Sequence, residues 1–356
     1  MAEVTIVGGG ISGLIAAINL AKKDHKVTIL EGEARPGGLP IFRPDPAGSW
    51  FDVPALKRWT GVDIEPAVKP IDTSYAYAYG KQVTLPMKSS VKLYMVERGS
   101  RSTSLDTLLT NEALSHGVEI EYNHKVLTQG DFAKLPPNTI VATGLQVEPY
   151  EALNVPYESL YGWFAKGTVP HDKTTVSLWL DDFTQDYAFN CTINGVIFAL
   201  LFQRRIPLHK DGKKKYEQLL FEKEGVEIKG WDDLEGGACP VGSIRNPRLF
   251  QGDKIFAGTL AGVIDPFLFF GMLGALVSGK IAAMAIDDKG EAYDAFKAAT
   301  HTFYPSYLAK RAFNKVPHAL RKPAVRMGMR FATIPAMEEL GLTRLANFTP
   351  GWKVSQ

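Results

Sequence analysis

The first residues that could organise chemistry are glycines. Gly8, Gly10 and Gly13 follow the apolar, β-branched run Val4-Thr5-Ile6-Val7, and Leu14 to Ala21 reads as a helix. A second apolar run, Val27-Thr28-Ile29-Leu30, ends in Glu31. Strand, tight turn, helix, strand and acid in that order predict a dinucleotide site. Gly8 permits the sharp exit from the strand, Gly10 lets the backbone approach a pyrophosphate, and Gly13 lets the helix pack closely on the sheet. The free N–H groups at Ile11, Ser12 and Gly13 and the positive end of the helix then face the phosphates. Glu31 ends its strand where a carboxylate can accept hydrogen bonds from a ribose.

The motif does not separate FAD from NAD, but the next stretch does. Glu31-Gly32-Glu33-Ala34-Arg35-Pro36-Gly37-Gly38 resembles the extended N-terminal signature of two-domain FAD enzymes, in which an acid is followed by an Arg and a Gly-Gly pair. The resemblance implies that Arg35 neutralises pyrophosphate charge and that Gly37 and Gly38 pass close under the flavin. A plain polar turn is the alternative, since Pro-Gly-Gly punctuates loops.

With 356 residues the chain can bury a sizeable core and is expected to hold two domains sharing one cleft. A net charge of +2 is too small to argue for nucleic acid. Cys191 and Cys239 are far apart, with no CxxC, which excludes a disulfide framework or zinc site as the organising feature and suits a reducing compartment. The apolar N-terminal residues read as a strand rather than a secretory leader, and a cytoplasmic location is expected. Asp265, Pro266 and Lys280 argue against a membrane span in 255–286, which reads instead as strand, loop and buried helix.

Along the chain, 40–59 reads as irregular because Pro40, Pro44, Pro46 and Pro54 break any long element. Ser74 to Tyr79 and Gln82 to Pro86 read as a hairpin. Leu93 to Val96 is a short strand followed by Arg98; Ser104 caps a helix from Leu105 to His116, and Val118 to Tyr122 is the next strand. This run looks like the part of group A flavoproteins where an Arg reaches the FAD. Arg98 is the better match and Arg101 the rival. Thr139 to Val141 leads into Ala142-Thr143-Gly144, a small turn that FAD enzymes use to pass the chain beside the cofactor. From 150 to 231 three strand-like runs and the hairpin signal Asn194-Gly195 predict an antiparallel sheet. Lys210, Lys213, Lys214 and Lys215 read as a solvated basic turn before a helix over 216–224.

A second constellation starts at Gly236-Gly237-Ala238-Cys239-Pro240 and continues through Gly258-Thr259, Asp265-Pro266 and Gly271-Met272-Leu273 to Ala283. Here the chain resembles the geranylgeranyl reductase branch of the p-hydroxybenzoate hydroxylase-like FAD superfamily. The likeness covers the first forty residues and 236–283 well, and the middle in outline. It implies a loop at Asp265-Pro266 running past the flavin and a small-residue helix starting beneath the ring. Thr259 departs from the pattern, because the family has an Asp there that touches the ribityl chain. A helix N-terminus at Gly271 would stabilise negative charge on the reduced flavin; the alternative is simply a buried Gly/Ala helix. Phe267, Phe269 and Phe270 stand where a substrate would meet the ring, or are plain core. Cys239 lies in a segment that could reach the pocket, but reads more readily as a buried small hydrophobe.

The segment 296–337 carries eight Lys and Arg residues, Lys310 and Arg311 among them, and no acid. It reads as helices with basic outer faces, or as a surface for anionic lipid or an anionic substrate. The expected architecture is α/β: a Rossmann-type FAD-binding domain (1–70, 90–150 and 236–290), an inserted antiparallel substrate sheet (71–89 and 151–235) and a C-terminal helical segment (291–356). No Ser/His/Asp set, metal cluster or second Gly-rich motif for NAD(P)H is visible, so the flavin itself is the expected catalytic group. The expected reaction is hydride transfer between flavin N5 and an apolar, unsaturated or isoprenoid-like substrate, with room for a separate electron donor or acceptor and for peripheral membrane contact. The alternatives are a flavin monooxygenase and a non-redox lyase or cyclase that keeps FAD.

Overall fold

The computed structural model describes residues 1–38, 42–84, 92–240 and 247–332. The first half runs β1 (Glu3–Val7), α1 (Ile11–Ala21), β2 (Lys26–Leu30), β3 (Asp45–Phe51), α2 (Val53–Thr60), β4 (Val68–Pro70), β5 (Thr73–Ala78), β6 (Lys81–Thr84), β7 (Lys92–Arg98), α3 (Leu105–Ser115), β8 (Glu119–Glu121), α4 (Gln129–Lys134), β9 (Ile140–Val141) and α5 (Val147–Ala152). It continues through β10 (Tyr157–Thr168), β11 (Thr175–Leu180), β12 (Tyr187–Ile193), β13 (Val196–Arg204), α6 (Lys210–Glu224), β14 (Asp232–Pro240), β15 (Phe250–Gln251), β16 (Lys254–Phe256), α7 (Met272–Asp287), α8 (Lys289–Thr300), α9 (Phe303–Asn314) and α10 (His318–Ala332).

The apolar run at the N-terminus becomes the middle of a six-stranded sheet, ordered β15-β16-β9-β1-β2-β8. Its strands β16, β9, β1, β2 and β8 are parallel, as a doubly wound nucleotide domain requires. Every residue of α1 from Ile11 to Leu20 is buried. Helix α7 packs against it closely enough that a Cβ on Gly279 would lie 2.5 Å from the Ser12 carbonyl oxygen. Such an approach is available only to small residues, which is why α7 is written in Gly, Ala and Ser.

The second sheet is ordered β14-β10-β13-β12-β11-β5-β6. Its side chains alternate between two covers. Phe164, Phe198 and Phe202 face a layer that includes Leu93 and Met95 of β7. Trp179, Ala188 and Leu201 face Tyr216 and Leu220 of α6. Asn194 and Gly195 both hold positive φ, 53° and 74°, and close the β12–β13 hairpin as the sequence predicts. The sheet is not wholly antiparallel, because β5 joins β11 in parallel. β14 spans the expected domain junction at 235/236.

Three local expectations are corrected. The 40–59 stretch is not irregular over its described part: it forms β3 and α2. The prolines are accommodated because β3 is the edge of a small sheet, β3-β7-β4, and because Pro54 sits in the first turn of α2, where its missing N–H costs nothing. The lysines at 210–215 do not form a turn but the first half of α6, capped by His209. Lys310 is not on an outer face; it is only 6% exposed. Leu85, Pro86, Val241 to Asn246 and everything after Ala332 lie outside the described residues.

Candidate functional site

The first cluster gathers at the C-terminal end of β1. Gly8 holds φ +101°, and a Cβ there would lie 2.6 Å from the Ala142 carbonyl oxygen. Gly13 is as tightly placed, since its Cβ would fall 2.0 Å from the Gly8 carbonyl oxygen. Gly10 is different: a Cβ at that position meets nothing within 4 Å. The cradle is therefore packed behind its first and third glycines and open in front of the second. Helix α1 starts there with no side-chain cap and no acid in its first turn, so the N–H groups of Ile11, Ser12 and Gly13 are left for an outside acceptor. Ser12 also lies against Gly258, whose N–H donates to Ser278 Oγ at 2.8 Å.

Glu31 is buried and accepts from the Gly9 N–H at 2.6 Å and the Glu33 N–H at 2.8 Å. Burial pushes its carboxyl above the usual carboxylate range, against the pull of those two N–H groups. Gly32 is half-buried beside Lys125. Ala142 is buried, Gly144 holds φ +69°, and between them Thr143 Oγ1 is a buried hydroxyl without a hydrogen-bond partner. An orphaned hydroxyl beside an open glycine cradle and an uncapped helix fits a polar ligand laid across this edge.

Gly37 and Gly38 belong to a second cluster of four alternating charges. A Cβ on Gly37 would touch Asp106, and one on Gly38 would lie 3.0 Å from Arg43 Nη2. Arg98 grips Asp106 with Nε at 2.8 Å and Nη2 at 2.9 Å, and the Gly99 N–H donates to the same carboxylate at 2.8 Å. Arg43 Nη1 donates to Asp45 at 2.6 Å. Burial works to raise Asp106, but Arg98 overcomes it and holds the carboxyl below the usual range. At Asp45 burial wins over Arg43 and Arg98, and the carboxyl is pushed up. Arg101 instead reaches from the surface to the buried Glu97 at 3.2 Å. Arg35 is exposed and reaches only Ser100 Oγ, at 3.5 Å.

The Asp265–Gly271 loop forms the third cluster. The Asp265 carboxylate accepts from the N–H groups of Phe267 and Leu268, and the Asp265 N–H donates to the Phe270 carbonyl at 3.0 Å. Burial pushes Asp265 up, opposed by those two N–H groups. The closed loop docks on the large sheet: Arg204 Nη1 donates to the Pro266 carbonyl at 3.1 Å, and Tyr187 Oη to that of Leu268 at 2.5 Å. Phe269 packs on Phe202, Phe270 on Tyr187, and Phe267 on Phe313 of α9. Gly271 then begins α7 without a side-chain cap, with Met272 and Leu273 buried behind it and Thr259 Oγ1 close by.

Cys239 is fully buried in the core of the large sheet, and burial pushes its thiol up. It does not line the pocket beside its neighbour Pro240. That pocket also holds Arg204, Asp186 and Lys310, a cluster not legible in the sequence: Asp186 and Arg204 meet at the open end of one hairpin, but Lys310 comes from a helix far along the chain. The eight-cation run around Lys310 was the one available signal. Among the described residues no group of His, Cys, Asp or Glu could hold a metal ion, and no helix is long and apolar enough to cross a membrane.

Fold and cradle together define a dinucleotide-binding protein with a Rossmann-like domain and a second, sheet-built layer over it. Residues 6–68 match the family model of the NAD(P)-binding Rossmann-like domain. The fold of the whole chain recurs in solved structures of low sequence identity. It superposes on a geranylgeranyl bacteriochlorophyll reductase-like protein from Thermoplasma acidophilum with a TM-score of 0.66 at 15% identity, over 100% of this chain and 98% of that one. It also superposes on CtdE in complex with FAD, with a TM-score of 0.56 at 14% identity, over 97% and 99% of the two chains. Sequence relatives match only in pieces. Cinnamate reductase of Clostridium sporogenes is 30% identical over 115 residues, which are 30% of this chain and 17% of that protein.

Proposed function

We propose that this chain binds FAD along the β1 edge and is an oxidoreductase acting on an apolar substrate. The observation that carries the reading is the cradle itself: packed at Gly8 and Gly13, open at Gly10, with an uncapped helix and a buried acid on either side. The resemblance at 31–38 and the FAD carried by CtdE favour FAD over NAD. Ile11, Ser12 and Gly13 would present N–H groups to the pyrophosphate, Glu31 would hold the ribose, and Thr143 Oγ1 and Thr259 would meet the ligand's hydroxyls. Arg98, fixed by Asp106, and the turn at Gly37-Gly38 would bound the other side. Bound there, FAD supplies hydride transfer at N5. The uncapped start of α7 at Gly271 to Leu273 favours negative charge next to it, and Phe267, Phe269 and Phe270 keep the neighbourhood apolar.

The purified protein is expected to be yellow and to carry one non-covalent FAD, read from its absorption spectrum and from the nucleotide released on denaturation. Glu31→Ala should weaken FAD binding by about 1.5–3 kcal/mol, the scale of a hydrogen bond to a charged group. A colourless protein, or an unchanged dissociation constant in the variant, overturns the corresponding assignment. Gly271→Leu provides a further check. Its Cβ would sit 3.3 Å from Ile264 Cδ1, a contact that a small shift relieves. The flavin spectrum and potential should therefore change more than the unfolding midpoint. Anaerobic reduction followed by air separates hydride transfer from oxygen activation, because a long-lived flavin–oxygen adduct marks a monooxygenase.

A further inference from the structure

Between the large sheet and α9 lies a pocket that shares with the cofactor reading only the loop residues Pro266 and Phe269. In it Asp186, with 5% of its side chain accessible, holds two cations. Arg204 reaches it through Nη2 at 2.6 Å and Lys310 through Nζ at 3.0 Å. One carboxylate between two cations leaves one positive charge in a buried place. Burial works to raise Asp186, but the two cations hold it below the usual range, while burial lowers Lys310 against the pull of Asp186, so an anion entering the pocket would favour the charged ammonium. At the rim Arg205 is already paired with Glu158 at 2.8 Å. Arg311 also lines the pocket, is exposed, and has no ion-pair partner among the described residues. The remaining nearby acid, Asp265, is turned into its own loop.

The backbone singles out the same place. Of the eight non-glycine residues with positive φ among the described residues, five are Asn or Asp, which tolerate that conformation. The others are Tyr79, Arg205 at +80° and Phe269 at +63°, and the last two both line this pocket. Strain of this kind is retained where surrounding structure aims a side chain for a purpose. Phe303, Tyr304 and Tyr307, on the same helix as Lys310 and Arg311, give the lining its aromatic part.

We propose that this pocket binds the carboxylate of a small acid with an apolar or aromatic body. Lys310 and Arg311 receive the charge, and Phe269 and Tyr307 receive the body. The aromatic lining favours an organic acid over inorganic phosphate. The site does not rest on the cofactor assignment. Calorimetric titration of the protein as purified, at low salt, compares 4-phenylbutyrate, 4-phenylbutan-1-ol and inorganic phosphate. The acid should bind at least about tenfold tighter than the alcohol, as a charge-assisted pair requires, and tighter than phosphate. The preference should shrink as salt is raised. Arg311→Ala, at an exposed position, and Lys310→Met, which keeps the Arg204–Asp186 pair, should each reduce it. Equal binding of acid and alcohol, no binding of either, or a preference untouched in both variants overturns the proposal. Tighter binding of phosphate overturns the choice of carboxylate. Flavin content measured on the same samples tests the cofactor reading separately, since neither substitution touches the β1 cradle.

Discussion

Gly10→Val should leave the fold intact and abolish FAD retention, whereas Gly13→Ala should damage the fold itself. The two glycines are three residues apart in one turn, yet their surroundings are opposite. Gly10 has φ −80° and ψ −178°, extended backbone that valine adopts readily, and its side chain would project into open space. Its stability cost is therefore about 1 kcal/mol or less, the scale of a changed cap residue. A ligand pyrophosphate laid over the turn, however, would collide with the two methyl groups. Gly13→Ala puts a carbon 2.0 Å from the Gly8 carbonyl oxygen, with backbone on both sides and nothing able to yield. A cost of about 3–5 kcal/mol is expected, at the upper end of overpacking effects. Thermal unfolding and bound-flavin absorbance, measured on both variants, check the pair. A flavin-replete Gly10→Val protein would remove the cradle from the cofactor site.

Asp106→Asn should cost a comparable amount for an electrostatic reason. Asp106 is fully buried and, among the described residues, is the only carboxylate gripping Arg98, which keeps 18% of its side chain accessible. The amide leaves Arg98 without its counter-charge and beside Arg43, and breaking a buried pair from one side costs about 3–5 kcal/mol. The pH dependence has a definite sign. The folded carboxyl titrates below the ordinary aspartate value of 3.8, so its contribution is present above that value and is lost as the pH falls through the folded one. Wild-type stability should therefore fall more steeply than that of the variant between about pH 5 and pH 2. Asp45, raised by burial, takes up its proton first on the way down. Urea unfolding of both proteins across that range measures the difference, and parallel curves would remove Asp106 from the ledger of acid sensitivity.

What was legible in the sequence was local. The turn at Gly8 to Gly13, the Ser104 cap, the Asn194-Gly195 hairpin and the small-residue helix after Gly271 each declare themselves within a few residues, and each is found where it was read. The prolines of 44–54 misled, because their effect depends on whether a strand is an edge and where a helix begins, which is settled by neighbours elsewhere in the chain. The Arg204–Asp186–Lys310 triad was invisible for the same reason, spanning 124 positions between Asp186 and Lys310. Lys310 looked like one more surface cation in a basic run. Only the arrival of α9 over the large sheet buries it.

The contact between α1 and α7 sets the order in which the protein can be completed during synthesis. The cradle is encoded within the first forty residues, but Gly258 and Ser278, which brace Ser12 from behind, are among the later parts of the chain to leave the ribosome. Until then α1 has one bare apolar flank, β9 has no β16 beside it, and β5 must wait about a hundred residues for β11 to emerge. So high a share of distant pairings makes for slow folding, with an incomplete nucleotide domain exposed to chaperones meanwhile. Cofactor loading is thereby postponed until α7 has emerged. A nascent fragment lacking α7 would have the glycine turn in its sequence and no scaffold to hold it open.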